Sequence, residues 1–168
     1  GSPWQIVNKR HPACRRLLRK HHRLFAQLFE SLQKLFRQFE PKGSIPILFE
    51  WPRCCQYWKK PEVKKFIAKY GLSLAKFDGC AFGLRSCISR ETEKFLKKPW
   101  LVATNIPEVF QDLNGWLCLG TSEAHQHSTT CGKNAKHSQY YTKELAMTLH
   151  QAIERHYTSG SSWWQGSQ

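Results

Sequence analysis

The sequence predicts an α/β fold: a short, mainly parallel sheet flanked by helices, a partial Rossmann-like arrangement, with a possible zinc-bound loop near its end. Three observations predict it. Ser44–Leu84 has the pattern of strand, turn, helix and strand, and each strand ends on an acid. A long amphipathic stretch, Ala13–Phe39, precedes that block, and a second helical stretch, Tyr140–Tyr157, closes the chain. Residues 1–157 form one α/β domain in this reading, and the Ser/Gly-rich residues 158–168 form a flexible tail.

The first helix follows from periodicity. Leu17, Leu18, Phe25, Leu28, Phe29, Leu32, Leu35 and Phe36 recur at three- and four-residue steps, the repeat of one helical face. Its early polar face carries Arg15, Arg16, Arg19, Lys20 and Arg23, nearly all of one sign, and Pro41-Lys42-Gly43 stops it. Ile45–Phe49 is apolar enough for a buried strand despite Pro46, and it runs into Glu50-Trp51-Pro52-Arg53. In the helix Pro61–Tyr70, Val63, Phe66, Ile67 and Tyr70 share a face opposite a row of lysines. Leu72–Phe77 is the second strand, stopping at Asp78-Gly79-Cys80. Ser86–Lys98 is a polar excursion, and Trp100–Asn105 a third strand entered through a basic turn. A short helix is expected within Ile106–Leu113. In the last helix Thr142 is the N-cap, with Leu145, Leu149 and Ile153 as its stripe.

Composition narrows the function classes. With 168 residues, 40% of them hydrophobic and 13% aromatic, the chain is too apolar for a disordered segment. A formal charge of +14 predicts a polyanionic partner, most simply nucleic acid, DNA or RNA. No stretch approaches the roughly 20 apolar residues of a membrane span, so no membrane partner is expected. Seven cysteines, two of them adjacent, suit a reducing, intracellular setting rather than a disulfide scaffold, and the charge suits a nuclear one.

Three groups of residues carry candidate chemistry. Cys118, His125, His127 and Cys131 form C-x6-H-x-H-x3-C in a segment with little apolar content to fix its shape. Thiolates and imidazoles are the ligands of a tetrahedral zinc, and histidines two apart on an extended segment point the same way. Cys80 is a rival ligand if the loop after the second strand folds over this segment, and His137 is another. For nucleic acid, Arg15, Arg16, Arg19, Lys20, Arg23, Arg53, Lys97 and Lys98 are the phosphate-binding candidates. Trp58, with Trp51 and Tyr57, is either a stacking platform for bases or core cover. For catalysis, Glu50 and Asp78 at neighbouring strand ends would hold a divalent ion with Lys98 nearby, as a nuclease requires. A protein–protein interaction module is the third class.

The order of short motifs adds a resemblance. Pro3-Trp4-Gln5, Phe49-Glu50-Trp51-Pro52, Phe82-Gly83, and Lys98-Pro99-Trp100 followed by Ala103-Thr104-Asn105 succeed one another along about two thirds of the chain. This order resembles the second half of DNA (cytosine-5) methyltransferases. It is closer still to methyltransferase-like domains of phages and of eukaryotic LTR retroelement polyproteins, including copia-like ones. The resemblance implies a retroelement-derived domain in which Pro3-Trp4-Gln5 stands where the family has Pro-Cys-Gln. Without that cysteine, covalent attack on cytosine has no nucleophile, and no glycine-rich loop for S-adenosylmethionine precedes it. The expectation is nucleic-acid binding without methyl transfer and without S-adenosylmethionine.

Overall fold

A computed structural model describes residues 12–39 and 45–159. Pro3-Trp4-Gln5, the stop at Pro41-Lys42-Gly43 and the end of the proposed tail lie outside the described residues. In chain order the helices are α1 (Pro12–Phe39), α2 (Pro61–Lys69), α3 (Pro107–Leu113), α4 (Gly132–His137) and α5 (Lys143–Thr158). The strands are β1 (Leu48–Pro52), β2 (Ser73–Asp78), β3 (Phe95–Leu96), β4 (Pro99–Thr104) and β5 (His127–Ser128). Short 3-10 turns, Gln56–Lys59 and Gly79–Phe82, follow β1 and β2.

The main sheet has the order β1-β4-β2, and β4 runs antiparallel to both neighbours. This corrects the expected mainly parallel, Rossmann-like sheet. β1 and β2 do point the same way and are joined through α2, but they never pair; β4 lies between them. Among the described residues, only the two-residue strands β3 and β5 pair in parallel. The error has a physical origin. Leu101, Val102, Ala103 and Thr104 are all buried, as a strand covered on both faces must be. A continuous apolar run of that kind fits a parallel strand and the central strand of an antiparallel trio equally well.

Alternation along the strands separates two cores. On one face Ala75, Phe77, Trp100 and Val102 pack with Val109 and Leu113 of α3 and Leu145 and Ala152 of α5. On the other, Ala103, Phe49 and Trp51 pack with Phe25 and Phe29 of α1 and Val63 and Phe66 of α2. The sheet is thus the middle of three layers. The second core is largely aromatic: Phe25 stacks on Tyr57 at 4.1 Å between ring centroids, and Phe29 meets Phe66 edge-on at 5.3 Å.

Local signals explain the connections. α2 ends where Gly71 adopts φ 59°, with Leu72 N–H donating to Ile67 O and Gly71 N–H to Ala68 O, the Schellman arrangement. Thr142 caps α5 as expected, its hydroxyl accepting from Leu145 N at 3.1 Å. Asn105 holds the segment before β1, accepting from Ile47 N at 2.7 Å and donating to Ile45 O at 2.8 Å. β1 therefore begins three residues later than the apolar run predicts. Gly79 leaves room for the chain to turn after β2, since a Cβ there would lie 2.8 Å from Leu84 Cδ2.

Candidate metal centre

Four side chains converge beyond the end of β2. Cys80 comes from the turn after β2, Cys118 from the loop after α3, and His125 and His127 from the approach to β5 and its first residue. Their ligand atoms all lie within 4.8 Å of one another. Cys118 Sγ is 3.5 Å from His125 Nε2 and 3.5 Å from His127 Nε2, and the two Nε2 atoms are 3.1 Å apart. Ligands at ~2.0–2.3 Å from a tetrahedral ion are separated by roughly 3.3–3.8 Å, the range in which Cys118 stands from both histidines. Among the described residues this is the one cluster of its kind, and it could hold a metal ion.

The surroundings orient the ligands. Thr121 Oγ1 lies 3.3 Å from His127 Nδ1, which leaves Nε2 facing the cluster. His125 stacks on Phe95 of β3 at 4.3 Å, and Phe95 N–H donates to Gln126 O at 2.8 Å, so the short β3–β5 ladder sets both histidines. Asp78 Oδ2 accepts from Cys118 N at 3.0 Å, tying the ligand loop to the end of β2. Burial, with Cys118 and Asp78 nearby, pushes the Cys80 thiol up to about 12. Burial, then His125 and Lys97, lowers His127 and favours the neutral imidazole that ligation needs. A cation among the four groups would favour the Cys80 thiolate that burial disfavours.

Sequence spacing found three of the four members. Cys131 is not among them: it is exposed at the N-cap of α4, its Sγ 3.4 Å from Thr129 Oγ1. His137, at the other end of α4, is exposed too. Cys80, the rival ligand, takes the fourth place. The residue that sets α4 in place is Asn134, which sequence reasoning missed. It is buried, accepts from Ser86 Oγ and Cys87 N, and donates to Ser128 Oγ and Thr129 O.

Of Glu50, Asp78 and Lys98, the structure brings Glu50 and Lys98 into each other's field, and Asp78 lies on the other face. Glu50 pairs with Val102, whereas Asp78 pairs with Pro99. Residues opposite positions 102 and 99 point to opposite faces of a strand with a two-residue period. Asp78 is 2% exposed, and its carboxylate is occupied by the Arg53 guanidinium at 3.0 Å as well as by Cys118 N. Glu50 Oε2 accepts from the Tyr141 hydroxyl at 3.1 Å. Burial raises the Glu50 carboxyl against the opposing effects of that bond and of Lys98. Burial likewise lowers the Lys98 ammonium, which donates to Ser138 O.

The proposed nucleic-acid residues divide in the same way. Arg15, Arg16, Arg19, Lys20 and Arg23 are all exposed on α1. Arg53 is instead committed to Asp78 and to Phe77 O. Lys97 is exposed and donates to Cys118 O at 3.3 Å. Trp58 is cover for the core, stacked on Phe49 at 5.5 Å with Nε1 donating to Pro52 O at 3.1 Å. Trp51 and Tyr57 belong to the same aromatic cluster. No helix among the described residues is long and apolar enough to cross a membrane. Comparison of the chain with family models, curated proteins and solved structures gives no match.

Proposed function

We propose that this is a nucleic-acid-binding domain whose carboxyl-terminal half is fastened by a zinc ion. The observation that carries the binding reading is the first half of α1. Arg16, Arg19, Lys20 and Arg23 are exposed, lie within eight residues and have no acid among them. Along a polyanion each lysine or arginine that neutralises a phosphate releases counterions, and the affinity gained is lost again as salt rises. For the ion, two thiols and two imidazoles within 4.8 Å of one another match the zinc ligand set. Four protein ligands leave no open coordination position, so the ion holds structure and does not activate water. The nuclease alternative is not supported, because Glu50 and Asp78 lie on opposite faces and Asp78 is already committed.

Binding to labelled duplex and single strands across a salt series tests this reading. The expected log–log slope is about −0.9 for each duplex phosphate contacted, with little sequence preference. Reversing Arg16, Arg19 and Arg23 to glutamate should flatten the slope by about 2–3 and leave the circular dichroism unchanged. Affinity that stays undetectable at low salt would refute it.

A further inference from the structure

Besides the leucine and phenylalanines it buries, α1 carries a second apolar stripe. Leu17, Leu24, Leu28 and Leu35 are 45%, 51%, 61% and 47% exposed, although Leu18, Phe25 and Phe29 beside them are buried against the sheet. The four leucines are seven, four and seven residues apart, the spacing of the two seam positions of a coiled coil. Leu24 and Leu28, at the centre of the stripe, border two shallow clefts between α1 and the edge strand β1. One, of about 290 Å³, is lined by Leu28, Leu32, Phe36, Pro46 and Phe49. The other, of about 240 Å³, is lined by Leu24, Leu28, Trp51 and Tyr57. Monomeric proteins rarely leave large apolar patches in water.

We propose that this stripe is a self-association surface on which two copies of the chain pack their α1 helices antiparallel. The spacing itself argues for a second copy. Leu17 and Leu35 are equidistant from Ala26, and so are Leu24 and Leu28. Turned end for end, the stripe superimposes on itself, so Leu17 of one copy meets Leu35 of the other and Leu24 meets Leu28. A two-fold interface requires self-complementarity of this kind, which an unrelated partner would not. The layer between pairs His21 with Ser31, a polar layer of the sort that fixes register.

Charge selects the antiparallel arrangement. Arg16, Arg19, Lys20 and Arg23 occupy one half of the helix. Parallel packing would lay the two basic halves side by side. Antiparallel packing about Ala26 places their centres about 20 Å apart along the axis, at 1.5 Å per residue. That is about twice the distance over which physiological salt screens a charge. Arg16, Arg19 and Arg23 lie off the leucine stripe, roughly a quarter-turn or more around the helix, so both copies keep them accessible. The inference rests on neither the zinc nor the nucleic-acid reading.

Sedimentation equilibrium of the intact chain tests it. The mass should rise with concentration from 19.7 kDa toward twice that value. Leu24→Glu alone and Leu28→Lys alone should each stay monomeric, with unchanged circular dichroism and metal content, because both positions are exposed. Mixed in equal amounts, the two variants should regain the dimer mass. The antiparallel register sets the carboxylate introduced in one variant against the ammonium introduced in the other. A wild-type chain that stays monomeric at every concentration overturns the proposal. So do single variants that still dimerise alone, or a mixture that remains monomeric.

Discussion

The aromatic layer beneath α1 and α2 and the loop bearing Cys118, His125 and His127 reach order by opposite means. In the first, Phe25, Phe29, Phe49, Trp51, Tyr57 and Phe66 fill one another's gaps, and apolar burial is what they share. In the second, Leu119 is fully exposed, Trp116 and Leu117 are about half-exposed, and the ordered groups are ligands and their hydrogen-bond partners. One region is stabilised by apolar area, the other by a few directional contacts around one point. Asp78 joins them, since it belongs to β2 yet holds Cys118 N.

Removing the directional contacts should have the largest effect. Cys118→Ser, or chelation, is expected to release the metal and loosen residues 116–131. We expect the thermal midpoint of that region to fall by about 10–20 °C, taking ~5 kcal/mol of lost ligation at 2–4 °C per kcal/mol. The near-UV signal of the aromatic layer should persist at lower temperature. Elemental analysis and thiol labelling of Cys80 check the first half, and circular dichroism the second. If both regions melt together on chelation, the division between them fails.

Phe66→Ala attacks the other region. Truncating a buried phenylalanine costs about 3–4 kcal/mol, so the midpoint should drop by roughly 10 °C while metal content stays unchanged. Loss of metal from this variant would show that the two regions are one cooperative unit. Asp78→Asn sharpens the comparison from the joint. It removes the ion pair with a partly exposed Arg53 and weakens the bond to Cys118 N, for ~2 kcal/mol. Metal release by a competing chelator should become faster.

How much of each region the sequence disclosed follows from the same contrast. The helices α1, α2 and α5 were legible because a periodic apolar stripe is a local pattern, and the Thr142 cap is local too. The positions of β1, β2 and β4 were legible to within a few residues. Strand direction was not: Trp100–Thr104 would be equally apolar whichever way it ran, and pairing is decided by where the loop 79–98 returns the chain. At the site, Cys118, His125 and His127 lie within ten residues and could be recognised from spacing. Cys80 lies 38 residues before Cys118, and only the fold brings it near. Cys131 had suitable spacing, but it sits beyond Asn134's anchor on the segment that leads away.

The smallest expected effect is electrostatic. Glu50 is raised by burial above its unfolded value, so the folded state holds its proton more tightly. Stability contributed by Glu50 is present below the unfolded value near 4.5 and declines as pH rises through the higher folded value. Glu50→Gln should remove that decline, leaving the variant as stable as the parent at pH 4 and slightly more stable at pH 8. A difference that grows as pH falls would contradict this, and denaturant titrations at the two pH values decide it.

The central place of β4 also bears on the order in which the chain can assemble. β1 and β2 are separated by α2 and leave the ribosome first, but neither can pair with the other across the gap that β4 fills. The ladder of β1 is complete only once Thr104 has emerged, when Leu48 pairs with a residue 56 positions later. β2 and β4 close a shorter loop, Asp78 pairing with Pro99, whereas the longer loop that β1 must close slows its own search. Until then Phe49 and Trp51 sit on an unpaired strand. The nascent chain thus passes through an interval in which its most aromatic strand has no backbone partner, and that interval, rather than the finished fold, is its point of greatest exposure to aggregation.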